Sequence, residues 1–478
     1  MIDGDVSVVI SCDIKYLLSL VGDKRLKIGC NFFYLFRNQY DENGDISFCV
    51  FDAVDCIQKA GLFFVNCILS PLENKNNTFS DNVLYILWFT NCIDTYEVVK
   101  DNIREKSIWK DVEWGKREKN YNKKGKDPGN VWIPTNDDGC GNITNHIILG
   151  IEDIVKRIVC FASDNNKKVI INLNRKISIT GYDCFFEITA TPLSLEPFQY
   201  TYSAFPTNVE NKPIFSDVFF ESSEQMRHIN DDTVKCMVTS PPYWDIKNYF
   251  KEGQIGQETY ERYQTRITKV WKSTYSKLDG YGSAWINVNT IFKRKKLIPI
   301  PKDIIDNCRE IGFHLKACVI WHKSSAIPTH SRNLCDHFEY VFVFTKTTKW
   351  YLDYNCQIND YCNPLLANGS FWNINRKAGI IGINYIHPAI FPLELIERIV
   401  SISTNESDYV LDPFLGSGTS LIAALNQNRS FVGYEYYEGF KELISYRIKN
   451  ECKYKEKTAY HLDSKNGGPR EKTIFRNK

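Results

Sequence analysis

Thr239-Ser240-Pro241-Pro242-Tyr243-Trp244 directly follows the apolar run Cys236-Met237-Val238, and its residue types suit a grip on a flat ring that bears an amine. The lone pair of an exocyclic ring amine is delocalised into the ring, so the amine is a poor nucleophile. Hydrogen bonds accepted from its N–H groups localise that pair and aim it. Proline has a carbonyl but no N–H, so with Pro241 the loop backbone is rigid and offers only acceptors. Ser240 adds a hydroxyl acceptor, and Tyr243 offers a face on which a base can stack.

Far downstream lies a second candidate, Asp412-Pro413-Phe414-Leu415-Gly416-Ser417-Gly418-Thr419. It sits between the strand-like Tyr409-Val410-Leu411 and a helix-like run that begins at Thr419. Gly416 and Gly418 permit backbone angles and a closeness of approach that a Cβ blocks, so a ligand can lie against the main chain. Glu435, at the end of the next apolar run Phe431-Val432-Gly433-Tyr434, places a carboxylate where it can accept both hydroxyls of a ribose. There is no GxxxxGK[ST] lysine here, which argues against a nucleoside triphosphate. An amine grip beside a nucleoside-type site suggests methyl transfer to a nucleobase.

Several function classes are disfavoured by composition. With 59 basic and 57 acidic side chains the formal charge is only +2, so attraction to a polyanion must come from local patches. The start, Met1-Ile2-Asp3-Gly4-Asp5, lacks a basic and an apolar leader region, and no unbroken apolar run is long enough to span a bilayer. A cytoplasmic protein that does not enter membranes is expected. The 16 cysteines form no CxxC pair, and most sit in apolar stretches such as Ala317-Cys318-Val319, so buried reduced thiols are expected and no metal site.

The elements that must position these loops alternate. Val234 to Thr239, Ser283 to Asn289, Ala317 to Trp321, Tyr340 to Thr345, Tyr409 to Leu411 and Phe431 to Tyr434 read as strands. Pro301 to Ile311, Pro392 to Ile402 and Thr419 to Asn426 read as helices. Such alternation predicts an α/β fold with a mostly parallel, doubly wound sheet and sites at the carboxyl ends of its strands.

The first two hundred residues read as a degenerate copy of the same unit. His146 to Val159 lies over His387 to Val400 without a gap and pairs Arg157 with Arg398. The same register sets Val169 to Arg175 against Val410 to Gly416, and Tyr85 to Thr90 matches Tyr340 to Thr345. Asp55, Cys56, Gly61 and Cys67 match Asp306, Cys308, Gly312 and Cys318, and Ser11 to Tyr16 echoes Ser240 to Lys247 with a shortened loop. Copy one lacks the prolines and has Arg175 and Ile177 where copy two has Gly416 and Gly418, so it can fold but is not expected to hold a cofactor. Thr191 to Pro213, with four prolines, reads as a surface-packed linker, and the polar tail after Glu451 as disordered. The expected organisation is a degenerate unit over 1–200, a catalytic unit over 201–450 and a basic tail over 451–478.

Residues 215–450 resemble the DNA amino-methyltransferases, which use S-adenosylmethionine to modify cytosine N4 or adenine N6. The order of the loops is that of the β group, and Thr-Ser-Pro-Pro-Tyr-Trp is similar to the form associated with N4-cytosine enzymes. The resemblance implies a Rossmann-like S-adenosylmethionine-dependent methyltransferase fold, here duplicated. It implies catalysis by Ser240, Pro241, Pro242 and Tyr243, and a cofactor site of Asp412, Phe414, Gly416, Gly418, Thr419, Glu435, His387, Pro388 and Phe391. Asp412 is then expected near the sulfonium or amino end of the ligand. The family's target-recognition segment normally lies between the Tyr340 strand and His387, an interval that here holds only Lys349 to Ile386. The basic, aromatic stretch Trp109 to Trp132 and the run Lys293-Arg294-Lys295-Lys296 are the candidates for phosphate contact, with a solvated charge run the alternative for each.

The expectation is therefore a site-specific DNA methyltransferase acting on cytosine N4 within a restriction-modification system. The alternatives are adenine N6 methylation and an inert DNA-binding scaffold. Expected partners are double-stranded DNA with a flipped target base and a cognate restriction endonuclease, with the chain a monomer or homodimer.

Overall fold

The structure is a computed structural model that describes residues 6–74, 79–105, 124–137, 143–163, 167–177, 179, 182–189, 192–204, 214–245, 252–323, 332–353, 369–376, 380–381, 385–386, 391–453 and 459–461. Two large sheets organise it. The amino-terminal sheet comprises β1 (Val6–Ser11), β2 (Leu26–Phe36), β3 (Phe63–Pro71), β4 (Val83–Thr90), β5 (Lys168–Leu173) and β6 (Asp183–Ile188), in the order β6-β5-β1-β2-β4-β3. The carboxyl-terminal sheet comprises β7 (Phe215–Phe219), β8 (Val234–Thr239), β9 (Leu278–Val288), β10 (His314–His322), β11 (Phe338–Thr345), β12 (Phe371–Asn373), β13 (Tyr409–Asp412), β14 (Ser430–Tyr434) and β15 (Ala459–His461). Its order is β12-β10-β11-β9-β8-β13-β14-β7-β15, and only β11 runs against the rest.

The helices are α1 (Ile14–Ser19), α2 (Val50–Lys59), α3 (Ile151–Ala162), α4 (Tyr260–Lys277), α5 (Ile300–Ile311), α6 (Leu393–Ser403), α7 (Thr419–Asn426) and α8 (Lys441–Glu451). Most bury a stripe at helical spacing, as with Ile304, Ile305 and Cys308 of α5 or Leu395, Ile396 and Ile399 of α6, whereas α7 is buried all round. Helices α5 and α6 feed separate apolar clusters, one containing Met237 and Ile286 and the other Val238 and Trp285. Adjacent residues of β8 and β9 thus point into different layers, as strand geometry requires of a sheet covered on both faces.

The nine expected elements all form, within a few residues at their ends. Helices α4 and α8, strand β7 and the two edge strands β12 and β15 are additional. Strand β15 pairs with β7, so part of the tail expected to be disordered is built into the sheet. Over its described part the expected linker runs along the surface, its residues exposed or half-buried except for Tyr200. Phe198–Gln199 pairs with Ser80–Asp81, Tyr200 is buried against Phe79, and Trp350 Nε1 donates to the Thr201 carbonyl at 2.7 Å. Tyr200 anchors the segment because the apolar surface it meets there draws its ring out of water.

The two sheets pack into one continuous apolar cluster that holds Phe51, Val54 and Phe89 beside Tyr340, Phe342 and Phe344. The Phe51 ring meets Tyr340 edge to face with centroids 4.9 Å apart. Removing it leaves a void between the units. Phe51→Ala should lower the unfolding free energy by about 3–5 kcal/mol, and in a urea melt the probes of both sheets should shift together.

Candidate active site

Strands β8 and β13 lie side by side and parallel, with Met237 opposite Leu411. Their carboxyl ends therefore bring the proline loop and the glycine turn to the same edge of the sheet, although they are far apart in sequence. The Thr239 hydroxyl closes the joint by donating to Asp412 Oδ1 at 2.7 Å. Asp412 also accepts from the Ser420 hydroxyl at 2.5 Å and from the Phe414 N–H at 2.9 Å. Only 3% exposed, its carboxyl group is pushed up to about 6 by burial, with the hydrogen bonds from Ser420, Thr239 and Phe414 opposing. Asp412 thus binds the end of one strand, the turn and the first residues of α7 together.

The glycine turn has the expected backbone. Gly416 and Gly418 have φ of 53° and 82°, the left-handed region that favours glycine. Two groups hold the turn from either side. Arg447 of α8, wholly buried, donates to the Ser417 carbonyl at 3.0 Å and to Thr419 Oγ1 at 2.7 Å, and its charge is matched by Glu451 at 2.9 Å. On the other side Glu435 accepts from the Gly416 N–H through Oε2 and from the Tyr437 N–H through Oε1, each at 2.7 Å.

Burial raises the Glu435 carboxyl to about 7, against the lowering effect of backbone donors from Tyr437 and Gly416. A desolvated carboxylate at the end of β14 gains from a ligand that brings two hydroxyl donors. The left-handed glycine turn beside it leaves the main chain open to close approach. A nucleoside-type cofactor with a ribose diol fits these two features.

The proline loop is held from below by α4, which the sequence reading did not identify. The Tyr263 hydroxyl donates to the Pro242 carbonyl at 3.0 Å, Trp244 Nε1 to the Glu258 carbonyl at 2.7 Å, and the Asp245 N–H to the Gly256 carbonyl at 2.9 Å. The Pro242 carbonyl is thus engaged inside the protein, while Ser240 and Tyr243 are half-buried at the strand end. Trp271, also on α4, reaches Phe414 of the glycine turn edge to face at 6.4 Å. The signal for α4 was present: Tyr263, Ile267, Val270, Trp271 and Thr274 recur at helical spacing and are all buried. The contacts of Arg447 and Tyr263 gave no such signal, since only the fold shows what these side chains reach.

Ser240, Pro241, Pro242, Tyr243, Asp412, Phe414, Gly416, Gly418, Thr419 and Glu435 are thus gathered along the ends of β8, β13 and β14. Phe391 packs near Trp321, with centroids 6.5 Å apart, at the approach to α6. His387 and Pro388 lie outside the described residues, as do 109–123 of the basic stretch and much of Lys349 to Ile386. Among the described residues no cluster of His, Cys, Asp and Glu could hold a metal ion, and no helix is long and apolar enough to cross a membrane.

Comparison with known proteins gives three findings. The family profile described as DNA methylase, of the N6/N4 type, matches residues 234–446. The type II methyltransferase M.XycI of Xanthomonas campestris pv. cyanopsidis is 30% identical over 261 residues, which cover 47% of this chain and 85% of the relative, and M.Cfr9I of Citrobacter freundii is 27% identical over 298 residues, covering 55% and 95%. Among solved structures, the PvuII cytosine-N4-specific DNA methyltransferase aligns with a TM-score of 0.42 and 20% identity over 50% of this chain and 90% of that one.

The buried carboxyl of Glu435 makes a test of the site's electrostatics. Its folded-state pKa lies above the ordinary 4.5, so its contribution favours folding below about pH 4.5 and is lost as pH rises toward about 7. In ligand-free protein, Glu435→Gln should flatten the decline in melting temperature across that window, measured by calorimetry.

Proposed function

The chain belongs to the N6/N4 family of DNA methylases, and from that premise we propose that it methylates the N4 amine of cytosine in a specific DNA sequence, as the modification enzyme of a restriction-modification pair. The observation that carries this reading is the Thr239–Asp412 bond between adjacent strand ends. It keeps an amine-gripping loop and a nucleoside-type turn in contact at one sheet edge. The serine of Thr-Ser-Pro-Pro-Tyr supports cytosine over adenine as the base.

S-adenosylmethionine, the cofactor of this family, supplies a methyl group on a sulfonium centre. In our reading Glu435 accepts its ribose hydroxyls. Gly416 and Gly418 let the main chain approach it, and Phe414, Thr419, Phe391, His387 and Pro388 line its site. Asp412, with three donors already on its two oxygens, acts as the brace that holds this wall in place.

The target base must leave the duplex, at a cost of a few kcal/mol, to reach a loop at the end of a strand. Tyr243 then offers a stacking face. Ser240 and the Pro241 carbonyl accept hydrogen bonds from the amine and localise its lone pair. Tyr263 and α4 keep the loop from relaxing away. Transfer is direct, from the sulfonium to the amine, so no nucleophile of the protein is consumed. Cys236, buried in β8 with its thiol pushed up to about 12 by burial, is a core residue in this scheme.

Ser240→Ala should reduce methyl transfer to DNA by about 100-fold or more while leaving S-adenosylmethionine binding intact, and Gly416→Arg should abolish that binding. Digestion of modified DNA to nucleosides should yield N4-methylcytosine. N6-methyladenine alone would instead favour adenine as the target, and no methylated base would favour an inert scaffold. Affinity for S-adenosylmethionine should rise as pH increases through about 7, where Glu435 ionises, and Glu435→Gln should remove that dependence.

A further inference from the structure

The two sheets share more than an apolar contact. Strand for strand, β6-β5-β1-β2-β4-β3 repeats the order and directions of β14-β13-β8-β9-β11-β10. The registers agree residue by residue. In one unit Asn31 and Phe63 both face Thr90, and in the other Ser283 and His314 both face Thr345. A bulge interrupts β1 between Val6 and Val8, and another interrupts β8 between Val234 and Cys236. This register sets Ser11 level with Thr239, one residue from its expected match to Ser240. It also sets Ile171 level with Asp412 and Ile188 level with Glu435. Ile188 is 64% exposed, so an apolar side chain stands at the surface where the other unit has its ribose-binding candidate.

Contacts between the units are themselves reciprocal. Gly129 bridges to Cys335, and Gly369, its counterpart, bridges to Ser80. The Asn130 N–H donates to the Cys335 carbonyl at 2.9 Å, as the Ser370 N–H does to that of Ser80 at 2.8 Å. Inside each unit the neighbouring contacts also match: the Arg157 guanidinium lies 5.3 Å from the Trp132 ring centre, and that of Arg398 lies 5.3 Å from Trp372. Helices α2 and α5, counterparts by order, pack on each other and pair Asp52 with Arg309 at 3.1 Å. The hairpin before α2, Gln39–Tyr40 with Ile46–Phe48, lays Asp45 against His314 of β10, at 2.6 Å, and against Lys316 of the same strand. The hairpin before α5, Ile291–Lys293 with Lys296–Ile298, lays Phe292 against Phe64 of β3, with rings nearly parallel and centroids 6.1 Å apart. Surface i of one unit meeting surface j of the other, and j meeting i, is the signature of a two-fold dimer interface.

The reciprocity has one consequence at the candidate active site. On the far side of the hairpin 291–298 from Phe64, Lys293 lies 4.6 Å from the Trp244 ring centre and pairs with Asp245, both in the proline loop. Lys295 of the same hairpin pairs with Asp94 of the amino-terminal unit at 2.6 Å.

We propose that the amino-terminal unit is a captive second subunit: it occupies the face on which two copies would pair, has lost its own cofactor site, and serves the other unit by holding the hairpin 291–298 against the catalytic loop. The effect on turnover rests on the methyl-transfer reading, whereas loop mobility and chain mass do not. Two variants of the full chain separate this role from general stabilisation. Phe64→Ala removes the contact that leads to the loop, and Asp45→Asn weakens its reciprocal contact, which leads away from it. Hydrogen exchange over residues 240–245 should be faster by roughly threefold or more in Phe64→Ala and unchanged in Asp45→Asn. Methyl transfer should fall by about tenfold in turnover in Phe64→Ala, with S-adenosylmethionine affinity retained, and stay near normal in Asp45→Asn. Sedimentation should give the mass of one chain, with one S-adenosylmethionine bound. Equal loop exchange in the two variants, loss of cofactor affinity in Phe64→Ala, a homodimer, or two cofactors per chain would each overturn the proposal.

Discussion

A buried carboxyl, Asp412, sits where three chain segments must agree. It takes hydrogen bonds from Thr239 at the end of β8, from Phe414 in the glycine turn and from Ser420 in the first turn of α7. Burying such a group is costly unless its oxygens are satisfied, and here both are. Satisfaction requires the two strand ends to be level, since a slip of either would strand a polar atom in the core. The proximity of the two functional loops is therefore enforced by the penalty for separating them.

The rest of the site extends the same logic. Each loop is fixed by a polar group reaching in from a helix: Arg447 from α8 onto the glycine turn, Tyr263 from α4 onto the Pro242 carbonyl. Glu435 likewise accepts a backbone N–H on each of its oxygens. It keeps a raised pKa near 7 despite two backbone donors, because desolvation outweighs them. A framework whose braces are satisfied is organised before ligand arrives.

The two units share one strand order and differ in a physically consistent way. Positions that define the sheet, such as the Thr90 and Thr345 registers and the bulges in β1 and β8, have counterparts in both. Positions where the second unit has its brace and its ribose-binding candidate carry Ile171 and Ile188 in the first. In place of the Thr239–Asp412 bond, the Ser11 hydroxyl donates to Asn172 at 2.9 Å, which ties the same two strands through neutral groups. A sheet needs that joint for stability whether or not a ligand sits above it.

Much of this was legible in the residues. Period-two and period-three-to-four apolar patterns marked the nine expected strands and helices of the second unit, because burial on one face imposes those periods. The glycines at 416 and 418, the paired prolines and Glu435 stood out because each does something that few other residue types can. Helix α4 was also written in the spacing of Tyr263, Ile267 and Trp271, but its many charged positions masked the stripe. Which groups meet across the molecule was not legible: Arg447 with Ser417, Tyr263 with Pro242, Phe64 with Phe292. These contacts join residues whose separation along the chain carries no periodic signal, and only the pairing of strands and the packing of helices on them decides who is near whom. The sequence by itself determined the local elements and the chemical types at the loops, since both depend on residues close along the chain. The tertiary structure alone decided that the loops share one sheet edge, that Asp412 faces inward as a brace, and that the two units meet reciprocally.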